Sequence, residues 1–357
     1  TLDKCKSILM GKVSELPNAD ENLVEINKYW EEIFSEIGII KINTDEIVRM
    51  AATILDQAYT RDIVSSDNSL KFFKETEADF DLIKEWHNTL VNITKKLSEL
   101  AKDTKLKAIL KIMQVKFLFI AIHLRNLKDS DGKIILKELE NVSFRTYGLE
   151  GLDSRYEKGN YIELAQKIIE KTSHSNQLTP AQIKSEVKKL GKKYNIKSVV
   201  NKIHEKDLYD STNWHEELRY FFYRYEEFLS KDKKCKLNDK LWLKIWDNTA
   251  GSTIEHIMPQ KAKEYTSWSG TTKEFKEDDE LNLFINRLGN LVILTQEANR
   301  NAGTKSFKEK KEIYKNESYL LCVEEIVTGN TVWNKKKIEE RENNLIEAAK
   351  VIWDDVY

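Results

Sequence analysis

The chain has 357 residues, a length that suits two or three domains and is enough to bury a core. Its 58 Lys and Arg face 59 Asp and Glu, so the net charge of -1 neither requires nor excludes a nucleic-acid partner, and any basic surface must be local. With 33% charged residues and 3 Pro, the composition favours long helices and argues against a β-sandwich or a disordered chain.

The three cysteines, Cys5, Cys235 and Cys322, stand far apart and form no CxxC pair. This spacing argues against a disulfide framework and against a structural zinc ion, and it fits a reducing, cytoplasmic compartment. Residues 1–20 mix charged with apolar side chains and do not resemble a signal peptide. The most apolar run, residues 117–124, is too short to cross a bilayer, so it predicts a buried helix and no membrane partner.

In chain order, apolar residues first recur at intervals of three and four, which is the period of an amphipathic helix. This pattern predicts helices over residues 23–37, 44–57, 69–102 (as one helix or two) and 105–124. No alternation typical of a strand occurs before about residue 172. The polar residues 172–176 are the predicted boundary between a helical region, residues 1–175, and a second domain, residues 176–357.

The second domain is predicted to consist of helices around two short strands. Thr179, Pro180 and Gln182 have the spacing of a helix start with a capping box. Helices are predicted over residues 179–205, 213–230, 236–248, 306–316 and 333–353. Residues 253–258 and 288–294 are β-branched or Leu-rich runs that we expect to pair as a hairpin with a long excursion between them. The predicted fold class is therefore mainly α, with a ββα unit embedded in helices.

The residues that suggest chemistry lie on and after this hairpin. Residues 254–260 read Ile-Glu-His-Ile-Met-Pro-Gln, and they are followed by Gly-Asn at 289–290 and by Asn299. Hydrolysis of a phosphodiester needs a base to activate water and a cation to neutralise charge on the phosphate and the leaving oxygen. His256 suits the base, because imidazole titrates near neutral pH, while Glu255 and Asn299 offer oxygen ligands that Mg²⁺ or Mn²⁺ accepts. A lone histidine would mean little, but this combination has the order of an HNH-type nuclease site.

Each of the two asparagines has an alternative interpretation. Asn290 is predicted to bond backbone groups across the hairpin and to hold the loop that carries His256; the alternative is an ordinary turn residue after Gly289. Asn299 is predicted to project from the start of a helix as a metal ligand; the alternative is a plain N-terminal helix cap. Asn301 competes with Asn299 for the ligand role.

A local basic cluster follows the second asparagine. Arg300, Lys305 and Lys308 are predicted to bind the DNA backbone through salt-sensitive contacts. A solvated helix face explains Lys308, Lys310 and Lys311 equally well, because two Glu residues lie among them.

The last third of the chain, residues 242–353, resembles the C-terminal HNH nuclease domain of GmrSD-type modification-dependent restriction enzymes. The resemblance is loose across the helical middle, although residues 218–222 and 2–9 are similar to other segments of such proteins. It is carried by the runs 254–260 and 288–294 and by the single residues Asn299, Ser306, Phe307, Lys310, Tyr314, Trp333, Arg341 and Trp353.

The resemblance implies a ββα-metal nuclease fold, one Mg²⁺-class ion, and cleavage or nicking of DNA in defence against phage. By motif position, His256 is then the general base and Asn290 the positioning residue. Glu255 and Asn299 are the implied metal ligands, with Glu255 standing where HNH domains often have Asp. Full-length relatives carry an N-terminal sensing domain with an Asp-Gly-Gln-Gln-Arg motif. That string does not occur here, so we expect this chain to follow such a domain and assign it no nucleotide site.

The resulting expectation is a metal-dependent DNA endonuclease. Its expected partners are DNA, modified or unmodified, the N-terminal sensing domain in cis, and a second copy of the chain. One alternative is a catalytically silent helical module that binds DNA or a protein partner and keeps the HNH motif as a structural remnant. Another is a helical scaffold without affinity for DNA. Metal-dependent cleavage would distinguish the endonuclease from both alternatives.

Overall fold

A computed structural model describes residues 1–39, 42–56, 61–170, 177–209 and 215–356. The chain divides into two compact units, of which the first contains residues 1–143 and 153–192 with Val356, and the second contains residues 144–152 and 193–355. The predicted boundary at residues 172–176 lies outside the described residues. The division into residues 1–175 and 176–357 therefore stays a prediction.

The first unit is built from helices. In chain order they are α1 (Leu2–Ser14), α2 (Ala19–Ile39), α3 (Thr44–Leu55), α4 (Ser66–Glu75), α5 (Phe80–Lys102), α6 (Lys107–Leu110), α7 (Met113–Leu124), α8 (Asp129–Ser143), α9 (Lys158–Ile169) and α10 (Pro180–Leu190). The predicted helix over residues 69–102 is two helices, because the Asp79 side chain caps a new helix at the Leu82 amide. The predicted capping box at the start of α10 is confirmed.

Burial follows the predicted periodicity in this unit. On α2, the buried residues Ile26, Trp30 and Ile33 recur at intervals of four and three. Helix α7 is buried on nearly every side, as predicted for the apolar run 117–124. Within the part of the chain that the structure describes, no helix is both long and apolar enough to span a membrane.

The second unit contains helices and two short strands. In chain order they are α11 (Ile196–Val200), α12 (His215–Asp232), α13 (Asp239–Trp246), α14 (Ala250–Thr253), β1 (Ile254–His256), α15 (Ser269–Thr272), α16 (Asp278–Asn286), β2 (Leu291–Ile293), α17 (Gln296–Ala302), α18 (Phe307–Glu317), α19 (Leu321–Val327) and α20 (Lys335–Ile352). The predicted helix over residues 179–205 is wrong in its extent: α10 ends before Gly191, and the Asn195 side chain caps α11 separately. With 72% of the structure helical, the mainly-α prediction is confirmed.

The predicted hairpin is also confirmed. Strands β1 and β2 pair antiparallel, with Glu255 opposite Val292 and His256 opposite Leu291. All six strand residues are buried, so helices cover both faces of the ribbon and its sequence does not alternate between apolar and polar residues. Helix α17 follows β2 after two residues, which completes a ββα order.

Helix α20 fixes the start of β2. A short 3₁₀ helix, Leu288–Asn290, leads into the strand and lies against α20. A Cβ atom at Gly289 would collide with the Ile338 carbonyl oxygen, so only glycine permits this approach. The Arg341 guanidinium donates to the carbonyl oxygens of Gly289, at 2.8 Å, and Leu291, at 2.7 Å. The chain entering β2 is thus tied to α20 through its backbone.

Candidate functional site

His256 is the last residue of β1, and the end of α16 holds its ring. Its Nε2 lies 3.0 Å from Oδ1 of Asn286, and the Asn286 amide nitrogen donates to Oδ2 of Asp207 at 2.9 Å. The ring of Tyr209 packs edge-on against the imidazole, with the ring centroids 4.4 Å apart. His256 is 7% exposed. The imidazole therefore lies in a polar, mostly buried pocket whose walls come from α16 and residues 207–209.

Asn290 ties the two ends of the excursion between the strands together. Its Oδ1 accepts from the Met258 amide, at 2.8 Å, and from the Trp333 indole nitrogen, at 3.0 Å. Its amide nitrogen donates to the carbonyl oxygens of Met258, at 2.9 Å, and Ile285, at 2.8 Å. A turn asparagine would not need these bonds, so the geometry agrees with the cross-hairpin interpretation. The side chain of Asn290 thus positions the loop after His256 by binding the backbone of that loop.

Glu255 points to the other side of β1, toward α18. Its Oε1 accepts from Lys310 Nζ at 2.6 Å and from the Tyr314 hydroxyl at 2.8 Å. Lys310 also donates to the His256 carbonyl oxygen at 2.8 Å, so it holds both motif residues. Glu255 is 3% exposed and Lys310 is 0% exposed. Burial raises the pKa of the Glu255 carboxyl while Lys310 opposes that rise, and burial lowers the pKa of Lys310.

This pairing bears on the predicted metal site. A divalent cation needs carboxylate oxygens that can turn toward it, and Glu255 Oε1 is already bonded to a buried ammonium and a buried hydroxyl. Lys310 would also place a positive charge beside the cation. Glu255 as it lies here does not fit a direct metal ligand. Among the described residues, no group of three or more His, Cys, Asp and Glu side chains has the arrangement of a metal site.

Asn299 lies within α17 and faces β1. Its amide nitrogen donates to the carbonyl oxygens of Ser252, at 2.9 Å, and Ile254, at 3.1 Å. The N-cap of α17 is Thr295, whose hydroxyl accepts from the Ala298 amide, so the plain-cap interpretation of Asn299 is wrong. Asn299 therefore joins the helix to the first strand. Its predicted role as a ligand stays a prediction.

The competing Asn301 is engaged elsewhere. Its amide nitrogen donates to Glu317 at 2.8 Å, which ties α17 to α18.

The predicted DNA-binding residues lie together in sequence and are exposed. Arg300 is on α17, Lys305 is in the following loop, and Lys308 is on α18. Lys310 differs from them, because it is buried against Glu255 and is not part of a solvated helix face. The exposed basic cluster therefore consists of Arg300, Lys305 and Lys308, with Lys311 partly covered.

Sequence reasoning gave no role to two residues beside His256, namely Asn286 and Asp207. Asn286 carries a weak signal, because it lies four residues before Asn290 in the run that leads into β2. Asp207 carries none, since 79 residues separate it from Asn286. The sequence does indicate that Lys310 and Tyr314 lie side by side, because residues four apart share one face of a helix.

Comparison with known families agrees with this geometry. The family model "GmrSD restriction endonucleases, C-terminal domain" matches residues 197–348. This range includes both strands, the pocket around His256, and the buried Lys310 and Tyr314 of α18. A search of curated proteins found no match. The resemblance inferred from the motif residues is thus supported over a longer stretch, which begins upstream of α12. The match supports a GmrSD-type C-terminal part over residues 197–348 of this chain.

Proposed function

We propose that residues 197–348 form an HNH-type DNA endonuclease domain that hydrolyses phosphodiester bonds, with His256 as the general base. The observation that carries the proposal is the position of His256. It ends the first strand of a ββα unit with its ring held by Asn286, inside a region that matches a restriction endonuclease family. Imidazole has the pKa range required for proton transfer near neutral pH.

The chemistry assigned to the chain's own residues is a single displacement. Neutral His256 takes a proton from a water molecule, and the resulting hydroxide forms a bond to phosphorus as the bond to the 3′-oxygen breaks. The leaving oxygen then takes a proton from solvent. Lys310 holds the carbonyl oxygen of His256 and Asn290 holds the amide of Met258, so the backbone that carries the ring keeps its position during the transfer.

The cofactor in this proposal is a divalent cation, Mg²⁺ or Mn²⁺, because the family resemblance implies one. When bound, such an ion would neutralise charge on the phosphate. No ligand set is assigned to it, since Glu255 does not fit a direct ligand here and Asn299 alone is insufficient.

Metal dependence is the first test. We expect the chain to nick supercoiled plasmid with Mg²⁺ or Mn²⁺, to stop on addition of chelator, and to resume with excess cation. The His256→Ala protein, purified in the same way, controls for contaminating nuclease. Cleavage that continues in chelator would contradict the role of the cation. A shift of the DNA in a gel without any cleavage would favour the binding-module alternative.

The exposed basic cluster is proposed to contact the DNA backbone. Replacing Arg300, Lys305 and Lys308 together by Gln should weaken binding to all duplex sequences alike. The plot of log K for DNA binding against log salt concentration should become less steep by about 2 to 3, since each lost phosphate contact removes ~0.9 from the magnitude of the slope. Fluorescence anisotropy with a labelled duplex, titrated over a salt series in the His256→Ala background, measures this slope.

A matched control removes the same charge elsewhere in the second unit. Three exposed lysines lie where α12 ends and α13 begins: Lys231 on α12, Lys236 between the two helices, and Lys240 on α13. If their combined replacement by Gln lowers the slope equally, the effect is one of net charge and the proposed contact surface is wrong.

The remaining expectations rest on the resemblance alone and belong to the same proposal. They are action in the cytoplasm in defence against phage, recognition of modified DNA, a sensing domain in cis, and assembly with a second copy of the chain. What supports them is the match to a restriction endonuclease family.

A further inference from the structure

We propose that Asp207 and Asn286 are positioning residues that hold neutral His256 with its proton on Nε2, so that Nδ1 is the nitrogen that accepts a proton. This inference rests on the proposed function of His256 and names how the surrounding structure prepares the ring for it.

Asp207 sets the orientation of the Asn286 amide. Oδ2 of Asp207 lies 2.9 Å from the amide nitrogen of Asn286, and Oδ1 of Asp207 accepts from the backbone amide of Tyr209 at 3.0 Å. An ionised carboxylate only accepts hydrogen bonds. Asn286 must therefore turn its NH₂ group toward Asp207, and its carbonyl oxygen toward His256.

The Asn286 carbonyl oxygen in turn sets the tautomer of His256. Asn286 Oδ1 lies 3.0 Å from His256 Nε2, and this oxygen has no proton to donate. The imidazole must donate from Nε2, and a neutral imidazole carries only one ring proton. The lone pair used for proton transfer is then on Nδ1.

Backbone hydrogen bonding and aromatic packing hold Asn286 and residues 207–209 together. Asn286 is the last residue of α16, is buried, and its carbonyl oxygen accepts from the Leu208 amide, so residues 207–209 are held against the helix end through the backbone as well. The ring of Tyr209, in the same segment, lies edge-on to the imidazole. Asp207 therefore holds two groups that contact His256. It binds the side-chain amide of Asn286, and it binds the backbone amide of Tyr209, whose ring packs on the imidazole.

The state of the ring can be measured without any nuclease activity. We would label the full chain with ¹⁵N-histidine and record long-range ¹H–¹⁵N correlations at pH about 8, where an ordinary imidazole is neutral. The signals of His256 are assigned by their absence in His256→Gln. The expected pattern is that of the Nε2–H tautomer. A proton on Nδ1 in the unmodified protein would overturn the proposal.

Two variants test the positioning residues. Asn286→Ala removes the acceptor, and Asp207→Asn keeps the shape of the side chain but allows the Asn286 amide to turn over. In both, we expect the single tautomer to be lost and kcat for plasmid nicking to fall ~10–100-fold, by analogy with the cost of removing the hydrogen-bond partner that orients a metal-ligating imidazole. The Kd for DNA should stay unchanged. Asn282→Ala, an exposed Asn→Ala change on the same helix, is the matched control.

The two proposals can fail separately. If the protein cuts no DNA but both variants change the tautomer, the positioning inference stands and the proposed activity is wrong. If the protein cuts DNA and the isosteric Asp207→Asn variant keeps both the tautomer and kcat, the positioning inference is wrong.

Discussion

Replacing His256 by alanine is expected to reduce DNA cleavage about 10²–10⁴-fold, which is the usual cost of losing a general base. DNA binding should remain, because the proposed phosphate contacts come from α17 and α18 and not from the imidazole. Some stability is lost as well, since the contact between the imidazole and the Oδ1 atom of Asn286 is removed, and a typical hydrogen bond contributes about 0.5–1.5 kcal/mol. The nicking rate of supercoiled plasmid, measured well below the unfolding midpoint of the variant, gives the result.

His204→Ala is the matched control for this experiment. His204 is an exposed histidine of the same unit, and it lies beside the carboxylate of the neighbouring Glu205. Its variant should cut at the normal rate. Anisotropy measurements with labelled duplex should give the same Kd for both variants. If the His256→Ala protein cuts plasmid as fast as the His204→Ala protein, His256 is not the base.

The second large effect is expected from the buried pair beneath the hairpin. Replacing Lys310 by Met should lower the free energy of unfolding of the second unit by about 3–5 kcal/mol. The physical reason is that Glu255 would remain buried without its countercharge, and the His256 carbonyl oxygen would lose its donor. Urea unfolding followed by circular dichroism measures the shift in midpoint.

Two further variants make the result specific. Lys308→Met changes an exposed lysine of the same helix and should leave the midpoint nearly unchanged, within about 0.5 kcal/mol. The double variant Lys310→Met with Glu255→Gln should recover part of the loss, because no uncompensated charge stays buried. A Lys310→Met protein as stable as the Lys308→Met protein would show that the pair contributes nothing to the fold.

The single variant Glu255→Gln distinguishes two roles for Glu255, as a partner of Lys310 in a buried ion pair or as a direct metal ligand. As a member of a buried pair, Glu255→Gln should lower stability in the absence of any metal ion. As a direct metal ligand, it should instead raise the cation concentration needed for cleavage, and excess Mn²⁺ should restore the rate. The contact with Lys310 favours the first outcome.

The local features of this protein can be predicted from its amino-acid sequence. The three- and four-residue recurrence of apolar side chains predicts the helices, as on α2, because helix geometry brings those positions onto one buried face. The two short β-branched and Leu-rich runs predict the hairpin, with His256 in the first of them. The motif also predicts the bonds of Asn290 across the hairpin, because a side-chain amide can both donate to and accept from backbone groups.

Which polar side chains contact each other depends on how distant segments pack. Glu255 has the identity of a metal ligand, but 55 residues separate it from Lys310, which looks in sequence like its exposed neighbour Lys308. Asp207 likewise reaches Asn286 across 79 residues, and no periodic pattern connects them. Local periodicity tells which face of a helix is buried. The partner of a charged or polar group is set by the packing of distant segments, and the energy of that group depends on the partner and on exclusion of water.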